Sequence, residues 1–172
     1  AFSNPSILPY VVLEIGPLAA WTPHTVAVIV PYAAEQYPKA FSISACKLEA
    51  VTAERSFWEK ATILHQEYYR PAGKPTPARY SRHYYDLFKM ARGPIADSAL
   101  EHIDLLPRVV AFKERFYKTQ WSNLVSARPG SFHLMPPDAR IPFLVRDYAS
   151  MSSMFFHSEP SFDTVLESLA GL

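Results

Sequence analysis

The chain has 172 residues and a mass of 19.5 kDa, and its composition of 49% hydrophobic, 14% aromatic and 19% charged residues excludes a mainly disordered state and is enough for one sizeable core. Seventeen basic and sixteen acidic residues leave a net charge of +1, and a single cysteine, Cys46, excludes an internal disulfide framework and a cysteine-based zinc site. The longest apolar run, near Val26 to Ala34, contains Pro31 and is too short to span a bilayer, so the expectation is a chain without a membrane segment or secretory signal, suited to a reducing cytoplasm.

In chain order, Tyr10 to Ile15 (YVVLEI) is β-branched and apolar around one glutamate and ends at Gly16-Pro17, which predicts a strand. Thr25 to Gln36 reads as a helix interrupted at Pro31. Ala40 to Val51 reads as a second strand, because Phe41, Ile43 and Ala45 alternate with Ser42, Ser44 and Cys46. At Thr52 the period changes: Phe57, Ala61, Leu64 and Tyr68 recur at helical spacing, which predicts a helix to about Tyr69 with Thr52 as its N-cap. Arg70 to Ala78, with three prolines and a glycine, is a loop. Ser81 to Arg92 resumes a helix whose apolar face is Tyr84, Leu87, Phe88 and Ala91, and Gly93-Pro94 is expected to stop it.

Asp97 to His102 predicts a short helix and Leu106 to Tyr117 a longer one. Trp121 to Pro137 is irregular. Pro137 to Met154 is expected as a single helix with a stripe of Ile141, Leu144, Val145, Tyr148 and Met151, and Ser161 as the cap of a last helix carrying Phe162, Val165, Leu166 and Leu169. The fold class is α+β, a short β portion followed by a mostly helical one. Two strands bury a face poorly on their own, so further β structure is expected before residue 1.

Charge is unevenly distributed. Arg70, Lys74, Arg79, Arg82, Lys89 and Arg92 stand against Asp86 alone in one segment, and Arg108, Lys113, Arg115, Lys118 and Arg128 against Glu114 in a second. Such segments either form a phosphate-attracting surface or are the solvated faces of two helices.

Three residues stand out chemically. Glu14 is a charged group in an apolar strand, either a solvated edge position or a carboxylate held rigidly for a hard divalent cation. Lys60, in RSFWEKATILH, either snorkels past its aromatic neighbours or serves a site. Asp86, in RHYYDLFKM, follows Arg82 at i,i+4 and is either half of a helix-surface pair or functional. The six histidines show no zinc spacing, and Cys46 reads as a small buried group. No P-loop, dinucleotide fingerprint or nucleophile elbow is present.

Four segments in order carry a resemblance: the strand VVLEIG, AERSFWEKATILH, SRHYYDLFKMA, and the tail LVRDYASMSSMFFHSEPSFDTVLESL. Together they resemble the nucleotidyltransferase toxins of the abortive-infection type, AbiEii/AbiGii-like, over nearly the whole chain. The resemblance implies a nucleotidyltransferase-fold core with a helical C-terminal region, and the toxic half of a toxin–antitoxin pair. It implies a divalent metal, Mg2+ or Mn2+, a nucleoside triphosphate substrate, and an RNA acceptor, which in some relatives is the 3′ end of tRNA. On this likeness Glu14 matches the family's third acidic position and is the metal ligand, Lys60 and Asp86 are catalytic, and Lys60 with Arg82 binds the nucleotide. The family's Gly-Ser or Gly-Gly turn and D-x-D carboxylates would precede Glu14, and this sequence has neither; His83 stands where many relatives carry the first acid of a D-x-x-D-L pattern. The resulting expectation is the C-terminal portion of such a protein, with residues 1–51 the end of the nucleotidyltransferase core and 52–172 the helical region. That portion is expected to be inactive alone. The alternative is a non-catalytic helical module that binds RNA or docks an antitoxin.

Overall fold

A computed structural model describes residues 10, 13, 22–155 and 158–172. The expected strand from Tyr10 to Ile15, and Glu14 within it, lies outside the described residues apart from Tyr10 and Leu13.

The described β structure is one antiparallel hairpin of β1 (His24–Ile29) and β2 (Cys46–Val51), in register from His24 opposite Val51 to Ile29 opposite Cys46. This corrects the interrupted helix expected over Thr25 to Gln36. The run Thr25-Val26-Ala27-Val28-Ile29-Val30 is rich in β-branched side chains, which lose little by standing on a pleated surface. Helix begins only past Pro31, as α1 (Tyr32–Gln36). The second strand is also shorter than its alternating pattern suggested. Pairing stops at Cys46 because β1 ends before Pro31, which has no N–H to offer a ladder, and Phe41 to Ala45 is irregular after a 3-10 turn at Pro38–Ala40. Cys46 is free and exposed, not buried.

Helix α2 (Ala53–Tyr68) is the centre of the helical part and packs against α3 (Arg82–Ala91), α4 (Pro94–Glu101) and α5 (Leu105–Phe116). The Thr52 side chain caps it by accepting from Arg55 N at 3.5 Å, and Glu54 lies in its positively polarised first turn. Phe57, Trp58, Ala61 and Leu64 form its buried face. Full burial of a side chain such as Leu64 contributes about 1.5–3 kcal/mol. The Trp58 indole N–H donates to Ala99 O at 3.0 Å and ties α2 to α4.

Gly93-Pro94 ends α3 as expected and also starts α4, since proline suits the first turn of a helix, where no N–H is needed. The single helix expected over Pro137 to Met154 is broken: a 3-10 turn at Asp138–Arg140 leads into α6 (Ile141–Ala149), and another follows at Ser152–Met154. The last helix, α7 (Phe162–Ala170), has the expected cap, with Ser161 Oγ accepting from Thr164 N at 3.1 Å, and it lays Phe162 against Tyr84 of α3.

The loop joining α2 to α3 is held by charge. Arg70 makes a two-pronged pair with the buried Glu67 carboxylate, while Arg140 donates to Thr76 Oγ1 at 2.9 Å and to Pro71 O at 2.7 Å. Arg70 is also stacked 4.6 Å from the Trp121 ring centroid, so it belongs to the loop's architecture and not to a free basic face. No described helix is long and apolar enough to cross a membrane.

Candidate functional site

Helices α2 and α3 bring three side chains together. The Lys60 ammonium donates to Asp86 Oδ2 at 2.6 Å and contacts His83 Nδ1 at 3.2 Å. An ammonium has no acceptor, so Nδ1 accepts and the imidazole proton is assigned to Nε2. His83 and Asp86 are three positions apart on α3 and therefore share the face turned to Lys60. The ammonium has three donors, and these two contacts leave one for a ligand.

The electrostatics follow from burial. His83 is buried, and its pKa is pushed down from 6.5 to about 4, first by desolvation, then by the Lys60 and Arg82 charges, against a raising effect of Asp86. At neutral pH it is an uncharged acceptor that orients Lys60 without adding charge. Lys60 and Asp86 keep 25% and 36% of their side-chain surface, so a ligand can reach the pair from solvent.

Asp86 also opens onto a cavity of about 360 Å³, lined by Arg79, Arg82, Tyr85 and Phe155, with Met151 and Met154. Two guanidinium groups and two aromatic rings around one carboxylate suit an anionic, ring-bearing ligand. Larger hollows, such as that lined by Phe57, Leu100, Ile103 and Phe132, are apolar and hold no such cluster. Arg82 stands on the cavity and forms no ion pair with Asp86, contrary to the helix-surface pairing that their spacing allowed; Asp86 is taken by Lys60 across the helix interface.

The start of α3 is positioned by a residue that sequence reasoning passed over. Asp147 of α6 accepts from the main-chain N–H of Arg79, from Ser81 N at 2.9 Å and from Ser81 Oγ at 2.6 Å. Arg79 has a φ of 60°, the left-handed region that a non-glycine residue adopts at a cost. The carboxylate thus holds a strained turn and supplies the N-terminal acceptor that the Ser81 side chain does not. The hint in the sequence was an acid beside Leu144 and Tyr148 in an otherwise apolar stripe. His83 had a comparable hint in its i,i+3 spacing to Asp86.

A family model, the nucleotidyl transferase AbiEii toxin of type IV toxin–antitoxin systems, matches residues 2–168. The chain belongs to the AbiEii nucleotidyl transferase toxin family. No curated protein and no solved structure matches it. Membership of the AbiEii family makes the chain a toxin of the nucleotidyl transferase class, and it implies a cognate antitoxin and a nucleoside triphosphate substrate.

A divalent cation is general to nucleotidyl transfer. Among the described residues no group of three or more His, Cys, Asp and Glu side chains is arranged to hold one, and Asp86 is already engaged by Lys60. The described residues of this AbiEii chain therefore do not fit a metal centre, and what they offer a substrate is charge and hydrogen bonding.

Proposed function

We propose that this AbiEii chain binds the nucleoside triphosphate of a nucleotidyl transfer to an RNA acceptor, with the tRNA 3′ end as one such acceptor, through Lys60 and Asp86. The observation that carries the reading is the contact of 2.6 Å between two groups 26 residues apart in a chain of this family. In this reading the free donor of Lys60 neutralises a phosphate oxygen, where developing charge on a transferring phosphoryl group is stabilised. Asp86 orients Lys60 or the acceptor hydroxyl, and Arg82 adds a guanidinium from the neighbouring cavity.

Glu14 is proposed, on the family likeness, as one oxygen ligand of Mg2+ or Mn2+, since hard divalent cations take carboxylate oxygens. Residues 1–51 are proposed as the end of a nucleotidyltransferase core and 52–172 as its helical region, acting in the cytoplasm. A second reading, docking of the cognate antitoxin, is supported by a separate feature: Val26 and Leu48 of the hairpin are 61% and 53% exposed, which leaves apolar surface for a partner.

Equilibrium dialysis of the four labelled ribonucleoside triphosphates against the chain tests the nucleotide reading. Saturable binding, weakened roughly tenfold or more by Lys60→Met and altered by Asp86→Asn, is expected. Absence of saturable binding to all four would remove the nucleotide reading and leave the docking role.

A further inference from the structure

A second ammonium is held against the α2 backbone next to Lys60. Lys113, on α5, reaches across to α2 and donates to the main-chain oxygen of Glu59 at 2.9 Å. Among the described residues no carboxylate lies within ion-pair distance of it. The nearest acid in sequence to its acceptor, the Glu59 side chain, is taken by Arg55, whose Nε donates to Glu59 Oε1 at 3.0 Å. The hydrogen bond that Lys113 makes is therefore to a peptide carbonyl and not to a carboxylate.

Its neighbours sharpen the point. Its hydrogen bond to Glu59 O, the carbonyl joined to the Lys60 nitrogen, sets the Lys113 ammonium against the α2 backbone at Lys60, where it feels the charges of Lys60 and Arg55 and acts on His83. Arg55 is 2% exposed and its Nη2 is buried without a hydrogen-bond partner among the described residues. Burial and the two like charges bring the Lys113 pKa down from 10.5 to about 8, while Glu59 opposes the fall. Three cations from two helices, Lys60 and Arg55 with unused donors, against Glu59 and Asp86 make a cluster short of negative charge. Holding like charges together is unfavourable unless an anion arrives to offset them.

We propose that Lys113 is a second phosphate-contacting cation of the Lys60 site, placed to hold another oxygen of the same triphosphate chain. This rests on the nucleotide reading above and adds a residue to it. Two ammonium groups from different helices, one rooted at Lys60 and one bound to the preceding carbonyl of α2, suit a ligand with several linked phosphates better than one with a single phosphate. The sequence marked Lys113 only as a member of the second basic segment, and nothing there tied it to Lys60, which lies 53 positions earlier.

The test uses inorganic tripolyphosphate, which has no base or sugar, with EDTA present, and compares it with orthophosphate and with a short RNA oligonucleotide on the 172-residue chain. Lys113→Gln keeps a donor for Glu59 O while removing the charge, and Lys113→Arg keeps the charge; urea unfolding of both checks the fold. Tripolyphosphate affinity is expected to fall about 10- to 100-fold in Lys113→Gln and to be largely kept in Lys113→Arg, with a much smaller change for orthophosphate. Unchanged tripolyphosphate binding in a folded Lys113→Gln chain, alongside loss in Lys60→Met, overturns the role of Lys113 and leaves the Lys60 site standing. Loss confined to RNA assigns Lys113 to the acceptor backbone and also overturns it. Failure of the unaltered chain to bind tripolyphosphate or any nucleoside triphosphate overturns both readings.

Discussion

Asp147 and Ser81 are 66 residues apart in sequence, yet one carboxylate oxygen of Asp147 accepts from both the main-chain N–H and the hydroxyl of Ser81, at 2.9 and 2.6 Å. The other oxygen accepts from Arg79 N, so α6 fixes the first turn of the helix that carries His83 and Asp86. Replacing Asp147 by Ala leaves buried donors unmatched and frees a backbone turn at positive φ. The expected cost is about 2–4 kcal/mol in urea unfolding. A loss under 1 kcal/mol would show that the turn holds itself.

The Lys60–Asp86 pair behaves differently. Both side chains are partly solvated, and such pairs contribute little to stability. Asp86→Asn should shift unfolding by no more than about 1 kcal/mol while changing nucleotide binding clearly. A large stability loss with unchanged binding would make the pair a packing device.

Acid sensitivity should report on His83. The group is neutral in the fold down to about pH 4 but takes up a proton near pH 6.5 when unfolded. Between those values the unfolded chain binds more protons, so stability falls as pH falls from about 6.5 towards 4 and is fully present above 6.5. The total effect is of the order of 3 kcal/mol. His65, also pushed down mainly by burial, contributes in the same sense. Chemical unfolding of the unaltered chain and His83→Gln at several pH values should show a reduced, not abolished, slope in the variant; equal slopes would contradict the assignment.

A salt series tests the basic surface. Arg79 and Arg82 are exposed on the cavity beside Asp86, unlike Arg70, which is bound to Glu67. If they contact RNA phosphates, the double change to Gln should flatten the slope of log affinity for tRNA against log salt by roughly 1–2. Filter binding that ignores salt would return both to the role of solvated charges.

Transfer itself is a separate matter from binding. With no metal-binding set among the described residues and no D-x-D pair in the sequence, the purified chain is expected not to label RNA from a radiolabelled triphosphate. Robust Mg2+-dependent labelling would refute this.

Much of the helical part was legible in the order of residues, because a 3.6-residue period, an N-cap and a Gly-Pro break are local features whose physics acts within a turn or two. Thr52, Ser81 to Arg92 and Ser161 are cases in point. The hairpin was misread at Thr25 to Gln36 because a short apolar β-branched run satisfies either period, and only a partner strand at Cys46–Val51 decides it. The sequence by itself determined which groups carry charge, which positions prefer helix and which segments resemble the AbiEii family. Tertiary structure alone decided that Asp86 pairs with Lys60 and not Arg82, that Lys113 of α5 donates to Glu59 O on α2, and that Asp147 clamps the α3 start. Those choices depend on which helix faces meet. Hydrogen bonds and charge pairs form only where packing brings their atoms within about 3 Å, a distance that residue spacing along the chain does not encode.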